Sequence, residues 1–169
     1  MNKAKKTAVF ALCVALAFTL SFLETLIPIN IGVPGVKIGL ANMVVLAALY
    51  LLDKRAAFAI SMIRILISGL LFTGAFSLLY SFTGGILSFF VMLLAMKSKR
   101  LSILGVSVLG GAVHNIGQII VAAIVMQTPR IVYYLPVLLI SGAIAGIAVG
   151  VVSKIVVERL IKIDFNKKD

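Results

Sequence analysis

A guanidinium set in the middle of an apolar stretch is the side chain with most chemistry to offer in this sequence. Of sixteen Lys and Arg residues, only Arg64 lies deep within such a stretch; the rest sit on links between stretches or near the two ends. An arginine at mid-bilayer costs about 2.5–3.5 kcal/mol on insertion scales, so one is usually kept to face a cavity, a partner or a ligand. Ser61 and Ser68 stand three residues before it and four after it, on the same helical face, which argues that this face is turned from lipid. Further on, His114-Asn115-Ile116-Gly117-Gln118 sets His114 and Gln118 on one face with Asn115 one position round. Glu24 late in the first apolar run, Lys37 just before the second, Asn42 early in the second, and Tyr80 with Ser77 and Ser81 early in the fourth all belong to the same half of the chain's apolar runs. A positive group among amide and imidazole donors suits a small polar or anionic molecule, including one that contains a ring. Plainer roles fit the same residues: Arg64 bonded to backbone carbonyls, Asn42 closing a helix start, Tyr80 as an interfacial aromatic.

Catalysis has little to work with. Gly84-Gly85 and Gly110-Gly111 lack the following Gly-Lys-Ser/Thr of a nucleotide loop, so ATP hydrolysis by this chain alone is excluded. Asp53, Asp164 and Asp169 are isolated, whereas metal-assisted diphosphate chemistry needs clustered carboxylates around Mg²⁺. One histidine without a paired acid makes no hydrolytic triad. The single cysteine, Cys13, rules out an internal disulfide or thiolate cluster and reads as a small packed side chain. The expectation is a binding protein with no catalytic residues, no cofactor and no metal.

The elements that must position these groups are membrane helices. The chain has 169 residues, is 62% hydrophobic and has a mean hydropathy of +1.21. A soluble domain is only about 45–50% apolar. About 20 residues of helix cross a ~30 Å hydrocarbon core, and apolar runs fall at about 7–26, 38–52, 56–73, 77–96, 102–126 and 133–160. An all-α, polytopic protein of six spans follows, a single integral membrane domain over 1–169. The break between the third and fourth runs carries almost no polar residues, so these two also read as one bent element.

Charge sets the orientation. With the N-terminus in the cytoplasm, thirteen basic residues fall inside, and only Lys37 and Arg130 fall outside. The positive-inside rule then puts both termini in the cytoplasm of a multi-pass cell-membrane protein. Arg64 follows Arg55 by nine residues, which sets it ~13.5 Å into the bilayer at ~1.5 Å per residue. The net charge of +11 serves orientation and attraction to anionic membrane lipid, not nucleic acid, because the basic residues lie at helix ends. The basic start followed by an apolar stretch resembles a signal peptide, but cleavage near Ala15-Leu16-Ala17 would leave an odd number of spans, so an uncleaved first helix is expected.

Two small-residue series bear on packing. Gly142, Gly146 and Gly150 recur every fourth residue in the last run, a face that lets another backbone approach closely. Ala4, Ala8, Ala11 and Ala15 form a similar stripe that begins at the basic end of the first run. Internal packing and the docking of a partner's helix both fit it.

Several blocks in order carry a family resemblance: residues 34–42 (Pro-Gly-Val-Lys-Ile-Gly-Leu-Ala-Asn), Arg64 with Gly69, Tyr80-Ser81 with Gly84-Gly85, and residues 111–118 (Gly-Ala-Val-His-Asn-Ile-Gly-Gln). The chain resembles the Gx transporter family, also labelled heptaprenyl diphosphate synthase component I. That family is similar in architecture to the substrate-binding components of energy-coupling-factor transporters. The resemblance implies capture of a small-molecule micronutrient from outside, and docking of the Ala4, Ala8, Ala11 and Ala15 stripe onto a coupling membrane protein with ATPase subunits. The other label implies a non-catalytic accessory subunit in polyprenyl diphosphate or quinone synthesis, or in a flavin or quinone redox system.

Overall fold

In hydrocarbon every backbone N–H and C=O must be paired within the protein, which leaves helices as the answer for runs this apolar. The computed structural model describes residues 3–27, 39–98 and 100–165; it is 93% helix, with no strand among the described residues. The helices are α1 (Lys3–Leu26), α2 (Leu40–Leu51), α3 (Lys54–Ser68), α4 (Gly74–Lys97), α5 (Ile103–Val125) and α6 (Leu135–Phe165). A π turn, Gly69–Thr73, extends α3, and a 3₁₀ turn, Pro129–Tyr134, leads into α6. α1, α3 with most of its π turn, α4, α5 and α6 are each long and apolar enough to cross a membrane. Leu12, Leu70 and Ile124 are each about two-thirds or more exposed on them, a placement that lipid tolerates and water penalises. The protein is a multi-pass membrane protein.

α2 differs from the run expected at 38–52. Its twelve residues reach only ~18 Å at 1.5 Å per residue, short of the ~30 Å core. It is also the most interior element: Ala41, Val44, Val45, Leu46, Ala48 and Leu49 are all buried, and it packs on α1, α3 and α6.

The third break is settled at Gly74, whose φ of 78° is open to glycine and strained for other residues. No loop intervenes. The π turn passes directly into α4, and contacts step outward from it in antiparallel register: Gly69 on Leu78, Ile65 on Gly85, Phe58 on Phe89. α3 and α4 are therefore a hairpin of two helices.

α5 and α6 form the tightest pair. Gly142 faces Gly111, Gly146 faces Val108 and Gly150 faces Leu104, and a Cβ built on Gly146 would stand 2.7 Å from the Cα of Val108. The glycine series thus packs internally, backbone against backbone. Polar caps close the ends that face the membrane surface: Asp53 accepts from the Ala56 N–H at 2.8 Å to start α3, and Ser102 accepts from the Gly105 N–H at 3.3 Å to start α5.

Candidate functional site

The first turn of α2 is built against the end of α1. Gly39, with φ 79°, precedes Leu40, and its N–H donates to the buried carboxylate of Glu24. Asn42, one turn in, accepts from Nη2 of Arg64 on α3 at 2.8 Å. Ser68 donates to the carbonyl oxygen of Arg64 at 2.7 Å, closing the turn above it. These residues surround a cavity of about 70 Å³.

Five helices contribute to its wall: Ser21, Glu24 and Thr25 of α1, Asn42 of α2, Arg64, Ile65 and Ser68 of α3, Ser81 of α4, and His114, Asn115 and Gln118 of α5. Two buried polar atoms here find no hydrogen-bond partner among the described residues, Nε of Arg64 and Oγ of Ser21. A buried donor without an acceptor costs about 1–3 kcal/mol, more when charged, so each of these atoms has an unused bond to offer a water, an ion or a ligand. Glu24 is the one carboxylic side chain on the wall and Arg64 the one guanidinium, and the N-terminal dipole of α2 adds to them.

Of the residues singled out from sequence, Arg64, His114, Asn115, Gln118, Asn42 and Glu24 converge on this cavity. Tyr80 does not line it; Ser81, the next residue, does. Lys37 lies outside the described residues. Asn115 is partly committed elsewhere, since its amide donates to the Leu138 carbonyl across the α5–α6 pair. Ser61, grouped with Arg64 by spacing, is buried beside the cavity rather than in its wall. The polar wall residues not singled out are Ser21 and Thr25. Their signal was present: Ser21, Glu24 and Thr25 are spaced i, i+3, i+4 in an otherwise apolar segment.

The sequence profile of a family described as heptaprenyl diphosphate synthase component I matches residues 13–156. The chain belongs to that family. No curated protein and no solved structure matches it. Every residue of the cavity wall falls inside the stretch shared with the component I family. The alanine stripe straddles its edge: Ala15 lies within the component I match, while Ala4, Ala8 and Ala11 precede it. All four alanines are exposed. Ala11 and Ala15 also line a shallow apolar groove between α1 and α3, with Phe10, Val14, Phe18, Ile63 and Ile67.

Proposed function

We propose that this protein is the substrate-capture component of an energy-coupling-factor-type uptake system in the cell membrane, taking a small polar or anionic compound from outside. The observation that carries the reading is the buried, unpartnered Nε of Arg64 beside a cavity. Orientation supports it as well. The wall is built from the end of α1 remote from Lys3, Lys5 and Lys6, from the start of α2, and from the end of α3 remote from Lys54 and Arg55. By the positive-inside rule that half of the bundle is the outer one, with both chain ends in the cytoplasm.

The exposed alanines at the basic end of α1 support docking of a coupling membrane protein that is driven by ATPase subunits. Replacing Ala11 or Ala15 by Leu should then weaken co-purification of such a partner and leave the cavity's ligand affinity as it was. Unchanged co-purification would remove docking as the role of the stripe and leave internal packing of α1 against α3.

Mass spectrometry of what co-elutes with protein purified in native lipid tests the capture itself. A water-soluble micronutrient, lost on Arg64→Ala from protein that remains inserted and monodisperse, is the expected result. Retention at full affinity by Arg64→Ala would end the proposal. The family description favours a second reading, an accessory subunit in polyprenyl diphosphate synthesis. An isoprenoid chain in the same eluate would select it.

A further inference from the structure

Beside the polar cavity lies a second one of about 50 Å³, walled by α2, α4, α5 and α6. The two share Gly39, Asn42, His114 and Asn115 as a common partition. Their characters are opposite. The first holds Arg64, Glu24 and Gln118, while the second has no charged residue and exposes mostly apolar surface, from Leu46, Met92, Ala145 and Val149 beside the glycines of the α5–α6 pair, with Ser88, Ser107 and Ser141 as its own polar groups.

Each chamber asks for a different part of a ligand. Nε of Arg64 is a buried cationic donor without an acceptor, and an oxyanion supplies one at charge-assisted strength. Ser88, Ser107 and Ser141 also reach the inner chamber, but most of the surface it exposes is carbon, so an apolar group matches the greater part of its wall. Its size admits about four water-sized groups. It is also narrow, since a Cβ on Gly110 would meet the Met92 sulfur at 2.8 Å.

We infer that the ligand is an amphiphile, with an oxyanion head on Arg64 and a slim apolar part of about four carbons reaching past His114 into the inner chamber. This rests on the capture reading and narrows its substrate class. A wholly hydrophilic solute would leave the inner chamber unfilled, and a bulky fused-ring system would not pass its glycine walls.

A homologous series of straight-chain carboxylates tests it: acetate, butyrate, hexanoate and octanoate, titrated by saturation-transfer NMR against the full chain in zwitterionic nanodiscs, with empty nanodiscs subtracted. Affinity should rise by about fourfold per methylene through hexanoate and then level off. Arg64→Ala should lose the whole series, acetate included. Ala145→Leu should compress the series until hexanoate binds no tighter than acetate. Because that variant could fail by misfolding, Met92→Ala supplies the opposite sign: the deeper chamber should move the best chain length beyond hexanoate, a gain that misfolding does not produce. A flat series with Arg64→Ala still abolishing binding overturns the amphiphile and leaves the capture reading standing. Full affinity in Arg64→Ala overturns the capture reading itself, and an unmoved optimum in Met92→Ala overturns the inner chamber as the site of the chain.

Discussion

α5 is shared by two regions that treat buried polar groups in opposite ways. Toward α6 it presents glycine against glycine, and the Asn115 amide is bonded to the Leu138 carbonyl. Toward α1, α2 and α3 it borders a void, and there Arg64 keeps a donor without an acceptor. Apolar burial supplies no net force between helices in lipid, so the first region holds together by close contact and satisfied bonds. The second gives up packing and satisfaction to remain open. The difference separates polar residues that hold the fold from polar residues that, under the capture proposal, await a ligand, although they border the same helix.

Filling the tight region should do the most damage. Gly146→Leu drives a side chain into the backbone of Val108, where overpacking costs about 3 kcal/mol or more. A fall of ~6 °C or more in Tm is expected for a chain of this length. An unchanged melting curve in detergent would mean that the two helices are not in backbone contact.

Arg64→Met tests the open region. Ligand binding should weaken roughly 10- to 150-fold, the range for losing a charged hydrogen bond. Stability should hold or rise, because exchanging a buried, incompletely partnered charge for an apolar chain of similar size is often neutral or favourable. A large loss of Tm would make Arg64 a structural residue and erase the contrast between the two regions.

Asn115 sits on the border and sharpens the distinction. As interhelical glue, Asn115→Leu should cost about 0.6–1.7 kcal/mol of stability, the range seen for such bonds in lipid. A binding defect with no change in Tm would move Asn115 to the cavity's side.

How much of this was legible follows the same division. Hydropathy and basic links are one-dimensional signals, so the long helices and the apolar run that became α2 could be read directly. Close helix contact also leaves a one-dimensional trace, and the Gly142, Gly146, Gly150 series marked the α6 face correctly. Arg64 was visible because its cost is high wherever it points. What sequence alone left open was rotation about the helix axis. Tyr80 and Ser81 differ by one position, and α4 turns Ser81 inward because Gly84 is pressed on His114 and Gly85 on Ile65. Ser81 precedes those glycines by three and four residues, so the packed face, once known, selects it. The break at Gly74 falls where the runs 56–73 and 77–96 meet, and only its sharpness was left open, because a π turn followed by a positive-φ glycine needs no polar loop.

The smallest expected effect lies away from both regions, where α1 meets the start of α3. Lys6 Nζ stands 2.6 Å from Asp53, and this hydrogen bond, together with the capped Ala56 N–H, holds the Asp53 carboxyl below its ordinary value. A depressed folded pKa contributes stability that is present above the unfolded value of about 3.9 and is lost as the pH falls through the folded one. The tie should therefore be intact at neutral pH and weaken only on acidification below about pH 4. Both partners are substantially exposed, so screening keeps the effect slight. Asp53→Asn retains a capping side chain but loses the charge. Its melting temperature at neutral pH should fall only slightly, and its acid-induced decline should be shallower than that of the unmodified chain. An identical decline in both would show that the Lys6–Asp53 tie carries none of the acid sensitivity, and would leave this corner of the fold held by the helix contacts alone.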